Sequence, residues 1–155
     1  MRIYLPATLL ELTPAADGTL APLAPRRAHT VTRELRELFP DDDDEGLEYA
    51  AQLAAADDSL ERLRADPSAP RLRLVLTAEV PDGVVARVDD DEAAASAVDL
   101  TASVGWAAVA CGHVDEPDAR PDVAAALIGA PAAVERLDER DLLWYDASEL
   151  SVIPR

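Results

Sequence analysis

The chain has no lysine and no asparagine, a single cysteine (Cys111), six glycines and only 4% aromatic residues. Each scarcity removes a class of chemistry. Without lysine there is no Schiff-base catalysis, no covalent pyridoxal phosphate attachment and no P-loop lysine. Without asparagine there is no N-glycosylation acceptor and no Cys-His-Asn arrangement. One cysteine permits neither an internal disulfide nor a Cys-x-x-Cys zinc or redox motif, which fits a reducing cytoplasm. Six glycines leave little material for phosphate-cradling loops, and no Gly-rich phosphate loop, nucleophile elbow or His-Glu-x-x-His motif occurs. All 14 basic residues are arginine, a bias that a GC-rich genome produces because Lys and Asn codons are AT-rich. No apolar run approaches the ~20 residues of a membrane helix. The opening "MRIYLPATLLELTP" is interrupted by Pro6 and Glu11, so it makes a poor signal peptide.

What is present describes a globular object. A length of 155 residues with 49% hydrophobic content is one domain, 1–155, long enough to bury roughly 70% of the surface its unfolded form exposes. The formal charge of −17 argues against direct nucleic-acid binding and against anionic membranes, both of which need clustered basic residues. It is compatible with a well-solvated acidic protein, or with a binder of basic surfaces such as a decoy for nucleic-acid-binding proteins. The acids are spread along the chain, which favours the first.

Periodicity supplies the elements. Residues 2–5 form a short strand, and 14–25 a proline-rich loop. "HTVTRELRELF" enters a helix capped at Thr30 or Thr32, with Leu35, Leu38 and Phe39 inward. Residues 45–65 are the clearest helix, with Tyr49, Leu53, Ala56, Leu60 and Leu63 along one stripe. "RLRLVLTAEV" (71–80) alternates as a strand with one covered and one wet face, Arg71 and Arg73 on the wet side. "PDG" turns into 84–88 as a hairpin, 97–104 alternates again, and 107–114 is apolar on both faces. A helix follows near Pro121 and stops at Gly129 and Pro131; "ERLDERD" is a charged connector; 142–153 is a last strand with a short terminal helix. The order predicts an α+β fold, a mostly antiparallel sheet with helices on one face, loosely ferredoxin-like.

Three stretches could carry chemistry. In "FPDDDDEG", Asp41, Asp43, Glu45 and Gly46 match calcium-loop positions one, three, five and six. Glu48 and Gln52 then fall at positions eight and twelve, where an apolar residue and a bidentate glutamate are needed. Those two residues also lie inside the best helix, so the acids read as an N-terminal cap. In "CGHVDE", Cys111, His113 and Asp115 project from one side of a strand, and with His29 could ligate zinc. They could also pair a Cys nucleophile with a His base, though same-face neighbours lie ~7 Å apart. Core packing of Cys111 is the competing explanation. Finally Trp106, Trp144 and Tyr145, scarce aromatics near strand ends, either fill the core or line a contact surface. Arg71 and Arg73 are further binding candidates.

"MRIYLPATL", "LEYAA", "RLRLVLTAEVP", "HVDE" and "LLWYDASEL" together resemble a family of small actinobacterial proteins of unknown function, across most of the chain. The resemblance implies a cytoplasmic, actinobacterial origin and carries over no catalytic residue. The expectation is a protein without catalysis or cofactor, acting on a protein partner or by self-association. A small metal- or ligand-binding enzyme or sensor centred on Cys111, His113 and Asp115 is the alternative.

Overall fold

The computed structural model describes residues 1–90, 92–102 and 104–155. Seven strands form one sheet: β1 (Arg2–Thr8), β2 (Arg26–His29), β3 (Arg73–Glu79), β4 (Val85–Arg87), β5 (Ala97–Leu100), β6 (Val109–Val114) and β7 (Leu143–Asp146). Four α-helices accompany them: α1 (Arg33–Leu38), α2 (Asp44–Ala65), α3 (Arg120–Leu127) and α4 (Pro131–Asp138). The strand order is β4-β5-β2-β1-β3-β6-β7, with antiparallel pairing throughout. The α+β expectation therefore holds. Among the described residues no helix is long and apolar enough to cross a membrane.

The spine is the β1–β3 ladder, in register from Arg2↔Glu79 to Thr8↔Arg73. Alternation divides its side chains between two faces. Ile3, Leu5 and Ala7, opposite Ala78, Leu76 and Leu74, join a core completed by Leu9, Leu12, Leu23, Leu150 and Ile153 from loops and 3-10 turns. Gly112 belongs to this face because a Cβ there would lie 2.7 Å from Leu150 Cδ2. The absent side chain makes room for the terminal 3-10 turn.

The other face carries Tyr4, Val75 and Thr77 and is covered by α2. Asp43 caps that helix, its side chain accepting from Gly46 N at 2.9 Å, as the N-terminal reading of the aspartates expects. The buried positions are Leu47, Ala51, Ala55, Ala56, Ser59, Leu60 and Leu63. Tyr49, placed in the stripe by periodicity, is 47% exposed. The small residues Ala51, Ala55 and Ser59 let the helix backbone lie close to the sheet, where a tyrosine would not fit. Contact becomes direct at Ser59, whose hydroxyl donates to Ala7 O (2.7 Å) and accepts from Leu74 N (3.0 Å).

Other expectations are corrected by packing. Leu38 and Phe39 are exposed, since α1 has only six residues and turns just Leu35 inward. Residues 84–88 do not form a hairpin with β3: β4 lies at the far edge and pairs with β5. "ERLDERD" contributes to a genuine helix, α4, started by Pro131 and buried through Ala133 and Leu137.

The largest correction concerns Arg73. It is not on a wet face but 3% exposed, in a two-toothed pair with Asp115: Nε donates to Oδ2 (3.0 Å) and Nη2 to Oδ1 (2.9 Å). Arg73 N also donates to Asp115 Oδ2 (2.7 Å), and Nη2 donates to Leu137 O (3.1 Å) at the end of α4. Helix α4 closes over this face, removing the water that a strand-level reading supplies. Because removing one partner strands a buried charge, Asp115→Ala should cost about 3–5 kcal/mol. The lowered urea midpoint measures it, and the double replacement of Arg73→Met with Asp115→Leu should recover most of the loss.

Candidate functional site

Helix α2 shields β1 and β3 but stops short of β6 and β7. Under that overhang, on the helix-bearing face, lies an open cleft of about 320 Å³, walled by Tyr4, Gln52, Thr77, Cys111, His113 and Trp144 and by the ion pair of Arg2 with Glu48. Register explains the grouping. Thr77 lies opposite Cys111 and His113 opposite Trp144, so all four share one face at adjacent rungs of the β3–β6–β7 ladder. Tyr4 lies opposite Thr77 across the β1–β3 ladder, and Gln52 reaches in from α2.

Two polar atoms here are buried without a hydrogen-bond partner among the described residues, Thr77 Oγ1 and His113 Nδ1. Leaving such groups unpaired costs about 1–3 kcal/mol each, so their occurrence in one cleft marks it out. Burial lowers the His113 pKa below its usual value and keeps the ring neutral. Tyr4 is pushed the other way by burial and by Glu48, so its hydroxyl stays protonated. Glu48 Oε2 accepts from Tyr4 OH (3.2 Å) and from Arg2 Nη1 (3.0 Å), while Arg2 Nε also holds Glu79 (3.0 Å). A larger groove of about 680 Å³ runs between α1 and the β4–β5 edge. Its Arg87 and Glu34 satisfy each other at 2.7 Å, and none of the orphaned atoms lines it.

Residues 1–153 match a family described as a family of unknown function, DUF6912. The chain belongs to that family. No curated protein and no solved structure matches it. The matched span takes in both motif-bearing ends, β1 at the start and β7 with its following 3-10 turn at the close.

In this DUF6912 chain the sequence-derived candidates are partly assembled and partly dispersed. Cys111, His113 and Trp144 do share the cleft. Asp115 does not join them, because Arg73 consumes both its oxygens. His29 lies on β2, three strands from β6, fixed between Ser96 Oγ (2.9 Å) and Asp58 Oδ2 (3.1 Å). The zinc set that the sequence suggests is thus not convergent, and among the described residues no group of three His, Cys, Asp or Glu could hold a metal ion. No described hydrogen bond joins Cys111 to His113, so the cysteine lacks a base in contact. Arg71 is half-buried just ahead of β3. Trp106 turns inward, its Nε1 donating to Ala21 O (2.9 Å), and Tyr145 packs against the core. Trp144 alone of the aromatic candidates is mainly exposed, at 59%. Sequence reasoning misses Thr77, Tyr4 and Gln52 as site residues: a threonine on the polar side of an alternating strand gives no sign that its hydroxyl will be left unpaired.

The neutral His113 makes a pH-dependent contribution with a definite sign. Its folded pKa lies below the unfolded value of about 6.5, so its contribution is complete above that pH and is lost as pH falls toward the folded pKa. Between about pH 8 and 5 the denaturation midpoint of wild type should fall further than that of His113→Gln.

Proposed function

We propose that this protein is a non-catalytic interaction module of the cytoplasm, docking a partner protein with a basic surface on the β6–β7 overhang. The observation that carries this reading is Trp144. In a chain with 4% aromatics, one of two tryptophans stands 59% exposed on a sheet edge, while its neighbour Tyr145 faces the core. Tryptophans in such positions dominate contact energetics. Leu143, also exposed, extends the apolar surface. The partner's basicity follows from charge: at −17 a second copy is repelled, and Asp141 precedes β7, Asp146 ends it and Glu149 follows it.

The contact is made by side chains more than by strand addition. β7 has four residues, and Glu149 Oε2 already accepts from Asp146 N at 3.0 Å, so the outer edge offers few free backbone groups. A solitary free cysteine supports a reducing compartment. A decoy that mimics nucleic acid is less well supported, since many acids are neutralised by arginine, as in Arg26–Glu11 (2.7 Å) and Arg136–Asp122 (2.7 Å).

Immobilised wild type and Trp144→Ala should be compared for capture from lysate at low and high salt. A captured partner should then be purified and titrated calorimetrically. The substitution should weaken binding by about 2 kcal/mol or more, roughly thirtyfold, with little change in thermal stability. Equal affinity for both proteins would sink the assignment of the contact. A Trp144-dependent dimer in sedimentation would redirect it to self-association.

A further inference from the structure

We infer that the cleft beneath Trp144 is a receptor for a single arginine side chain of the partner. The guanidinium would stack on the indole and donate to Thr77 Oγ1, His113 Nδ1 and Glu48. This rests on the interaction reading above and names the chemistry of its contact.

The cleft is polar at its floor and aromatic at its wall, and the two ionised residues of its lining, Arg2 and Glu48, pair with each other. Thr77 is 5% exposed, and among the described residues neither its hydroxyl nor His113 Nδ1 has a hydrogen-bond partner. The neutral tautomer that a guanidinium would select carries its proton on Nε2 and leaves Nδ1 as an acceptor. The Thr77 oxygen accepts as well, and Glu48 Oε1 has no described partner, Arg2 and Tyr4 both being held by Oε2. Three acceptors around one space ask for a multiple donor. The ionised residues of the lining, Arg2 and Glu48, neutralise each other at 3.0 Å, and Glu79 holds Arg2 from its other side, so a cation is favoured by the free acceptors and by the chain's charge of −17.

Shape selects among cations. A guanidinium is planar, stacks on a single aromatic face and carries five donors in a rigid fork; an ammonium is a strongly hydrated point charge better served by several rings. Here one exposed ring is available. A volume of about 320 Å³ holds about ten waters at ~30 Å³ each, room for one long side chain but not for a folded element. Thr77 Oγ1 and His113 Nδ1 are shut off from solvent, so side chains of the cleft wall must shift for a guanidinium to reach them.

The test uses the full chain and needs no partner. N-acetyl-arginine methylamide would be titrated at millimolar concentrations, following the Trp144 indole and His113 ring signals by NMR. The lysine and citrulline counterparts are the controls, citrulline keeping the shape without the charge. Saturable shifts with arginine, weaker ones with the controls, and a twofold to tenfold loss in Thr77→Val are expected. Trp144→Ala should weaken binding by about threefold to thirtyfold. Thr77→Val deletes an unpaired buried hydroxyl without changing the side chain's outline, so the variant remains folded. No saturable shift, equal binding of citrulline, or unchanged affinity in Thr77→Val overturns the arginine assignment. If that happens while Trp144→Ala still abolishes partner capture, the interaction reading survives without it.

Discussion

The buried pair of Arg73 and Asp115 is the constraint on which the rest of the structure leans. Two charges with almost no solvent contact are tolerated only because every tooth of the pair is hydrogen-bonded. The bonds reach three elements: β3 through Arg73, the end of β6 through Asp115, and α4 through Leu137 O. The mirrored backbone bond, Asp115 N to Arg73 O at 3.1 Å, extends the ladder one rung beyond the strand. The pair thereby ties β3, the end of β6 and α4 together at one point.

Ser59 plays the corresponding part for α2. A hydroxyl that both donates to β1 and accepts from β3 pins the helix over the two central strands. With α2 centred there, the sheet is wider than its helical cover. The uncovered rungs of β6 and β7 become a shallow cleft whose floor holds unpaired polar atoms and whose wall is an exposed indole. The site is thus a by-product of cover and width, and its chemistry depends on which residues the register leaves there.

Local signals are strong where one element suffices to produce them. The Asp43 cap, the extent of α2, the alternation of β3 and the stop at Gly129, whose φ is +85°, are all legible in short windows. Signals fail where a second element decides. The α2 stripe places Tyr49 inward because periodicity does not weigh size against the closeness of the sheet. β4 reads as the partner of its sequence neighbour β3, because nothing local shows that it crosses to the other edge. Cys111, His113 and Trp144 stand out in the sequence and do meet; Asp115 and His29 group with them by type and are held elsewhere, by Arg73 and by Asp58.

By itself, then, the sequence determined the α+β class, the excluded chemistries and the acidic character, because composition and periodicity are properties of one chain segment at a time. Strand order, the burial of Arg73 and the convergence of Thr77, His113 and Trp144 were decided by tertiary structure alone. Each depends on which distant segment arrives to cover, pair with or leave open a given face, and that outcome belongs to the whole packing.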